Sequence, residues 1–582
     1  MRDYTRVIGS RVLLRPKTLR PVKKGDVILS SMPFAHVINY NYLSMYCDTC
    51  AAPLRERLLQ PCGGCRVVWY CSEECRRAAL VWHRLECFAL KRRKHNPPCS
   101  FVRLLARIIF RLRDGGDKYE ERCCEKGVVR RFRDLMNHYV DLKNTEEMKA
   151  DIDRNLEDLR NYIGERLLPN ESDLLGIYGR AMVNCFSFTD QTMLHIGCAV
   201  YLAASIFDHN CSPNCFATFT GLKVEIRSLI DMPDLDFGKC HINYVDPVST
   251  AAARQQDLYK GWFFLCKCQT CDDKEKAFYE NSIKCKTPNC NGIVSIPEAS
   301  DAAGLIERKI EAAREKEKRE KKEREEKHRR RRHEEKKMER KHEKKEEIKK
   351  KEEEKGREGE KKEISEPRCS ECGWTACSET VRQYWGAVAF TKERMKTMDN
   401  DNLDIEVCLQ ILERQKEFSS RNAWRVKAND LTFNAAILNG CWSFALKYGE
   451  ENQDGMRFYY GVKNPIYYIF LFKLGKTNIY LKELRKGLRI LEEAESWLIT
   501  SLGDSHPIVE ELYQLILLAN EDREIYLERW HQDSKKPMEK LKVNNEELQQ
   551  LPFFTSQNES LSRIFDSLNQ MYCSQPNKLD GM

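Results

Sequence analysis

The sequence predicts an α+β multidomain chain in which metal-stapled modules precede an all-α C-terminal third. Three observations carry that expectation. Cysteines fall in close pairs at ligand spacing in several separate blocks, and one block adds a histidine. Residues 376 to about 530 carry helical periodicity, whereas His241 to Val245 (HINYV) read as a β-strand. The length of 582 residues suits three or four domains, each able to bury a core.

Charge is unevenly distributed. The chain has 98 Lys and Arg against 89 Asp and Glu, a net of +9. Between Leu305 and Glu363 there are 27 basic and 20 acidic residues, a surplus of seven. The remainder is nearly neutral, so the global basicity is a local property and weak evidence for nucleic-acid binding by the folded domains. The opening MRDYTRVIGSRVLLRPK has no apolar signal core, and no run of 18 apolar residues occurs. The expectation is a reducing compartment, no membrane partner, and 26 cysteines that serve metals rather than disulfides.

The first cysteine block reads CDTC, PCGGC, YCSEEC and HRLEC, giving Cys47, Cys50, Cys62, Cys65, Cys71, Cys75, His83 and Cys87. Four thiolate or imidazole ligands complete one tetrahedral zinc shell, so eight imply two ions. About forty residues bury too little apolar surface to fold alone, and zinc supplies that free energy. The block resembles a MYND zinc finger, down to Tyr70-Cys71-Ser72 and the final His-x3-Cys. The resemblance implies interleaved sites, with Cys47, Cys50, Cys71 and Cys75 on one ion and Cys62, Cys65, His83 and Cys87 on the other. It also implies proline-rich peptide partners. A filled four-ligand shell leaves no position for catalysis.

Further on stands DHNCSPNC, residues 208–215, and then CKCQTC with Cys266, Cys268 and Cys271. Three thiolates at C-x-C-x2-C spacing lack a fourth ligand, and Cys211 can supply it. DHNCSPNC resembles the NHSCxPNC motif of SET-domain lysine methyltransferases, and a MYND finger early in such a domain resembles the SET-and-MYND (SMYD) family. YGRAMVNCFSF (178–188), GCAVYL (197–202) and NYVD (243–246) match in order. The resemblance implies a SET β-fold split by the finger. Its boundaries would be an N-terminal SET segment over 1–46, the MYND finger 47–87, a helical linker or SET insert 88–180, a SET core 181–248, and a post-SET zinc segment 249–272. It further implies S-adenosylmethionine as cofactor, held by Gly9, Ser10, Arg11, Asn184, Asp208, His209, Tyr244 and Phe264. Tyr244 would be the catalytic residue, and Cys211, Cys266, Cys268 and Cys271 would hold a structural zinc.

That chemistry suits the residue types. Methyl transfer to lysine needs a neutral amine in line with the methyl carbon. A narrow aromatic channel desolvates the ammonium and lowers its pKa. Aromatic faces and a tyrosine oxygen stabilise positive charge at the reacting methyl. Three positions depart from the family pattern. Asp208 replaces an Asn, Arg11 stands in the glycine motif after Gly9 and Ser10, and the turn before the catalytic strand reads Gly238-Lys239-Cys240-His241. Two functions therefore remain open: a protein-lysine N-methyltransferase for histone or non-histone lysines, or an adaptor whose SET core has lost its cofactor. The resemblance implies a monomer of nucleus and cytoplasm, engaged in chromatin regulation.

After the post-SET segment, CKTPNC gives Cys285 and Cys290, and CSECGW gives Cys369 and Cys372. They read as the halves of a zinc ribbon over 273–375, a fourth ion after three in the finger and post-SET sites. Cys377 is a spare candidate. A charged helix, 305–363, interrupts the ribbon, with pairs such as Glu317/Lys321 and Glu323/Lys327 at i,i+4. Its HRRRRHEEKK, 328–337, offers a localisation signal or a nucleic-acid contact. Residues 376–545 read as helical. Ser505 reads as a cap, Pro507 sits in the first turn, and Ile508, Leu512, Leu515 and Ala519 share one face. Gly461-Val-Lys-Asn-Pro465 is echoed 42 residues on by Gly503-Asp-Ser-His-Pro507, which suggests stacked helix pairs. The segment resembles the family's TPR-like domain. The run FYYGVKNPIYYIFLF reads as core, and 546–582 is a tail without pattern.

Overall fold

The computed structural model describes residues 6–8, 11–13, 17–18, 20–54, 56–123, 129–297, 367–398 and 403–533. The charged segment 305–363, its basic stretch 328–337, the tail 546–582, and Gly9 and Ser10 lie outside the described residues.

The first strands are β1 (Arg6–Ile8), β2 (Arg11–Leu13), β3 (Lys17–Thr18), β4 (Val27–Ser31) and β5 (Ala35–Ile38). The cysteine-rich block follows with β6 (Gln60–Pro61), β7 (Trp69–Tyr70), α1 (Glu73–Ala78) and α2 (Leu80–Arg92). Next come α3 (Ser100–Arg113), the hairpin β8 (Glu121–Arg122) and β9 (Val129–Arg130), α4 (Tyr139–Lys143), α5 (Glu146–Ile163) and α6 (Glu171–Asn184). A second group of strands comprises β10 (Cys185–Thr189), β11 (His195–Val200), β12 (Asp208–His209), β13 (Cys215–Thr220), β14 (Lys223–Ser228), β15 (Leu235–Asp236) and β16 (His241–Ile242). Strands from the two sides of the cysteine block share sheets. β5 pairs β11, which pairs β10, and β4 pairs β14, which pairs β13, all antiparallel. β12 and β16 run parallel, with Asp208 opposite His241.

Helix α3 shows how sequence seats these layers. SFVRLLARIIFRLR places Arg103, Arg107 and Arg111 four residues apart, on one face of an otherwise apolar helix. Four helical residues rise about 6 Å, close to the two-residue repeat of a strand. Arg103 Nη1 donates to Ile38 O at 3.0 Å, Arg107 Nη1 to His36 O at 2.8 Å, and Arg111 Nη1 to Phe34 O. The arginines thus satisfy alternate carbonyls along β5 while Leu104, Leu105 and Ile108 fill the core.

After α7 (Ala251–Trp262) and α8 (Lys274–Glu280), the hairpin β17 (Ser282–Lys284) and β18 (Ile293–Ser295) leads into an antiparallel helical array. Its helices are α9 (Ser378–Lys396), α10 (Ile405–Arg414), α11 (Ala423–Leu438), α12 (Trp442–Tyr460), α13 (Pro465–Tyr480), α14 (Leu484–Leu502) and α15 (Pro507–Asp533). The 42-residue echo is a repeated helix junction. Gly461 and Gly503 end α12 and α14 at φ of 72° and 91°, where other residues are strained, and Pro465 and Pro507 open the next helix. The cap before Pro507 is His506, not Ser505: with proline as the first helical residue the cap position falls on 506, and His506 Nδ1 accepts from Ile508 N at 3.2 Å. Ile508, Leu512, Leu515 and Ala519 are buried, as are Tyr467, Tyr468, Phe470 and Leu471 of the aromatic run.

The array folds back on the strands at both ends. Lys24 Nζ lies 3.4 Å above the Trp497 ring, which stacks on Tyr468. At the other end Lys427 Nζ lies 3.2 Å from Asp246, and Tyr460 donates to the same carboxylate at 3.1 Å. Between these contacts a cleft remains.

Candidate active site and metal centres

Four groups of donor atoms converge, each with all atoms within 4.8 Å of one another. They are Cys47, Cys50, Cys71 and Cys75; Cys62, Cys65, His83 and Cys87; Cys211, Cys266, Cys268 and Cys271; and Cys285, Cys290, Cys369 and Cys372. Zn–S bonds of about 2.3 Å at tetrahedral angles place sulfurs about 3.8 Å apart. The observed separations include 3.5 Å for Cys50–Cys71, 3.8 Å for Cys62–Cys87, 3.6 Å for Cys211–Cys271 and 3.7 Å for Cys290–Cys369. The donor sets fit Zn2+. Local backbone follows the ligands: a Cβ on Gly64 would lie 2.8 Å from Cys87 Sγ, and one on Gly292 2.5 Å from Cys369 Sγ. Cys377 joins no group and caps α9 beside Thr380.

A buried charge network ties the first two centres to β5 through α3. Asp48 follows the ligand Cys47, and Glu86 precedes Cys87; both are fully buried. Arg107 Nη2 donates to Asp48 Oδ2 at 2.6 Å and to Glu86 Oε2 at 2.9 Å, and Arg103 Nε to Glu86 Oε1 at 3.0 Å. Tyr162 also donates to Glu86, at 3.1 Å. Burial alone would raise the Glu86 pKa, but Arg103 and Arg107 hold it well below the usual carboxylate range. His83 Nδ1 lies 4.0 Å from Glu86, on the side of the ring away from the thiolates. Sequence reading missed this network. Its signal is three arginines at i,i+4 spacing in an apolar helix.

The cleft is a cavity of about 1480 Å³. Asn184, Asp208, Tyr244 and Phe264 line it. His209 is buried directly behind, with ring centroids 5.4 Å from Tyr244 and 6.1 Å from Phe264. The imidazole is doubly fixed. Nδ1 accepts from Tyr244 N at 3.0 Å, so the proton resides on Nε2, which points at Cys211 Sγ at 3.2 Å. One ring therefore joins the third metal centre to the backbone of Tyr244. The Tyr244 hydroxyl donates to Phe207 O, and its ring packs 5.0 Å from Trp262, itself held by Val183 O at 3.0 Å. Asn184, at the end of α6, donates from Nδ2 to Met136 O and Arg180 O, both at 2.9 Å, which leaves its carbonyl oxygen to offer. Asn214 ties the departing turn in place, accepting from His241 N and donating to Lys239 O, each at 2.8 Å. Arg11 stands in β2, opposite Ile8.

The cavity has walls that no motif announces. Arg130, Met136 and His138 come from the segment between α3 and α5, and Asp430, Asn434, Trp442 and Lys473 from the helical array. Burial raises the Asp430 pKa to about 6 against the opposing pull of Lys473. Only Trp262 had a legible signal, as the start of the WFF run ahead of CKC.

Residues 47–87 match the MYND finger family model. Human histone-lysine N-methyltransferase SMYD3 is 28% identical over 266 residues, 45% of this chain and 59% of that protein. Zebrafish N-lysine methyltransferase SMYD2-A is 28% identical over 263 residues, 45% of this chain and 58% of that protein. Rat N-lysine methyltransferase SMYD2 is 28% identical over 262 residues, with the same coverage. The chain thus spans about three-fifths of the length of the curated relatives it matches.

Proposed function

We propose that this SMYD relative is an S-adenosylmethionine-dependent protein-lysine N-methyltransferase, with a SET fold split by its MYND finger and a TPR-like array over the substrate cleft. One observation carries the reading: Asn184, Asp208, Tyr244 and Phe264 line one cavity, and His209 locks Tyr244 to a thiolate centre. The names of the relatives support the same activity. Asn184, Asp208, His209, Tyr244 and Phe264 would hold the cofactor, with Gly9, Ser10 and Arg11 completing the site.

The bound cofactor supplies an electrophilic methyl on a sulfonium, which leaves as a thioether. The chain's own groups do the rest. Tyr244, Trp262 and Phe264 form an aromatic wall that strips water from an entering lysine and favours its neutral amine. The Tyr244 hydroxyl donates its proton to Phe207 O, and its oxygen would oppose positive charge on a methyl carbon brought beside it. His209 fixes the Tyr244 backbone, so the hydroxyl needs little reorganisation. All four thiolate centres are structural, since each filled shell leaves no open position. Exposed Leu58 and Leu80, with Phe88 just beyond its last ligand, would give the finger an apolar surface for proline-rich partners. A histone or other protein lysine as target follows the names of the relatives, and nucleus or cytoplasm is the proposed place of action. No helix among the described residues is long and apolar enough to cross a membrane.

The test is calorimetric titration of the zinc-loaded chain with S-adenosylmethionine. Micromolar binding by wild type, retained in Tyr244→Phe, supports the enzyme. No binding would leave the adaptor reading.

A further inference from the structure

The fourth thiolate centre lies outside the cavity, yet its contacts lead to the cavity wall. Its halves come from distant parts of the chain, Cys290 and Cys369 being 79 residues apart. In the fold these two sulfurs stand 3.7 Å apart, and those of Cys285 and Cys372 3.5 Å. Closing so long a span costs chain entropy that a metal clip offsets. Beside the sulfurs, Ser370 N donates to Ile293 O at 3.0 Å, and Ile283, Val294, Tyr384 and Phe418 belong to a small apolar cluster. The hairpin β17–β18, clipped in this way, grips the start of α11. Lys284 N donates to Glu417 O at 2.8 Å, and Ser419 N to Ser282 O at 3.1 Å. Asn422 is fully buried and caps α11, its Oδ1 accepting from Trp424 N at 2.9 Å. Its Nδ2 donates to Ser282 O at 3.0 Å, so one side chain fixes the helix end to the hairpin. Further along α11, Lys427 Nζ donates to Ser249 Oγ at 2.8 Å and lies 3.2 Å from Asp246, close after Tyr244 in the chain. Beyond it Asp430, Leu431 and Asn434 line the cavity.

We infer that the fourth centre, filled with zinc, positions α11 and through it the helical wall that faces a protein substrate, while the cofactor side is held independently. This rests on the proposed methyltransferase function. Four thiolates select a soft, tetrahedral cation, which Zn2+ is. The centre takes no part in the chemistry, and Cys290 and Asn422 are positioning residues. The cofactor candidates have supports of their own: Asn184 is tied to Met136 O and Arg180 O, and His209 to the third centre. Loss of the clip should therefore weaken substrate capture and spare the cofactor.

The test compares zinc-loaded wild type, Cys290→Ser and Asn422→Ser. Cys290→Ser should carry three ions and Asn422→Ser four. Asn422→Ser keeps a capping oxygen for α11 but loses the donor to Ser282. The readouts are hydrogen exchange with mass spectrometry, calorimetric titration with S-adenosylhomocysteine, and labelled-methyl transfer to increasing amounts of an undermethylated cell extract. Both variants should exchange residues 415–438 at least about tenfold faster, with the finger and α3 unchanged. Both should raise the extract concentration for half-maximal labelling by about five- to tenfold, and change the maximal rate and the S-adenosylhomocysteine affinity by less than about threefold. If Cys290→Ser fails to fold, Asn422→Ser decides alone. Unchanged exchange over 415–438 in either folded variant, unchanged half-saturation, or an equal loss of cofactor affinity overturns the inference while the methyltransferase reading stands. If wild type binds no S-adenosylhomocysteine, the methyltransferase reading itself fails, and the exchange data still decide whether the centre holds α11.

Discussion

Replacing Arg107 with methionine should loosen the junction between the MYND finger and β5 far more than an ordinary surface change. Arg107 is 2% exposed and holds three groups at once. Its guanidinium serves Asp48 at 2.6 Å, Glu86 at 2.9 and 3.1 Å, and the His36 carbonyl at 2.8 Å. Methionine fills much of the volume but offers no donor, so two fully buried carboxylates keep Arg103, Tyr162 and, at 4.0 Å from Glu86, His83. Arg103 reaches Glu86 at 3.0 Å but Asp48 only at 3.8 Å. Breaking one side of a buried ion pair costs about 3–5 kcal/mol. Opening of α3, read by hydrogen exchange with mass spectrometry, should then become at least ~100-fold more frequent, since each 1.4 kcal/mol is tenfold. Pairing the change with Glu86→Leu should cost less than the two single losses summed, because the stranded charge is gone. An exchange increase below about tenfold for Arg107→Met would refute the network as the joint between finger and sheet.

Other expectations follow from the same contacts. Burial, aided by Arg107, lowers the His36 pKa to about 4, while the unfolded chain titrates near 6.5. Between those values the unfolded state binds the extra proton, so stability should fall as pH drops from 6.5 towards 4, by up to about 3 kcal/mol, and His36→Gln should flatten that slope in denaturation curves. Elemental analysis of the purified chain should give four zinc ions, and Cys290→Ser should lower the count to three while leaving the finger's cobalt spectrum unchanged. His209→Ala should raise hydrogen exchange at the Tyr244 amide and weaken the third centre by about 10- to 100-fold in competition with a chelator, as expected for loss of an outer-shell donor. Tyr244→Phe should lower kcat for methyl transfer by about 10²–10³-fold with KM little changed, in steady-state assays.

What was legible in the sequence was mostly local. Ligand spacing is a short-range constraint, so CDTC, CKCQTC and CSECGW announce themselves without knowledge of the fold. The helical array was visible because its glycine–proline junctions recur. Ser505 looked like a cap only until Pro507 is counted as the first helical residue. The charge network was harder to read. Asp48 and Glu86 look like solvated neighbours of metal ligands until α3 brings Arg103 and Arg107 beside them. The cavity is harder still, because Arg130, Asn184, Tyr244 and Asp430 meet only through the order of strands and the fold-back of the helices. Asp208 reads as a defect against a motif in the sequence, and as a residue of the cavity wall in the folded chain.

The central claim is that Tyr244 sits at a methyl-transfer site for lysine. The most direct measurement supplies methyl-labelled S-adenosylmethionine and the zinc-loaded chain to an undermethylated cell extract, and maps labelled lysines by mass spectrometry. The account predicts new methyl-lysines with wild type that are lost with Tyr244→Phe. Equal labelling by both proteins, or none above background with wild type, would contradict it.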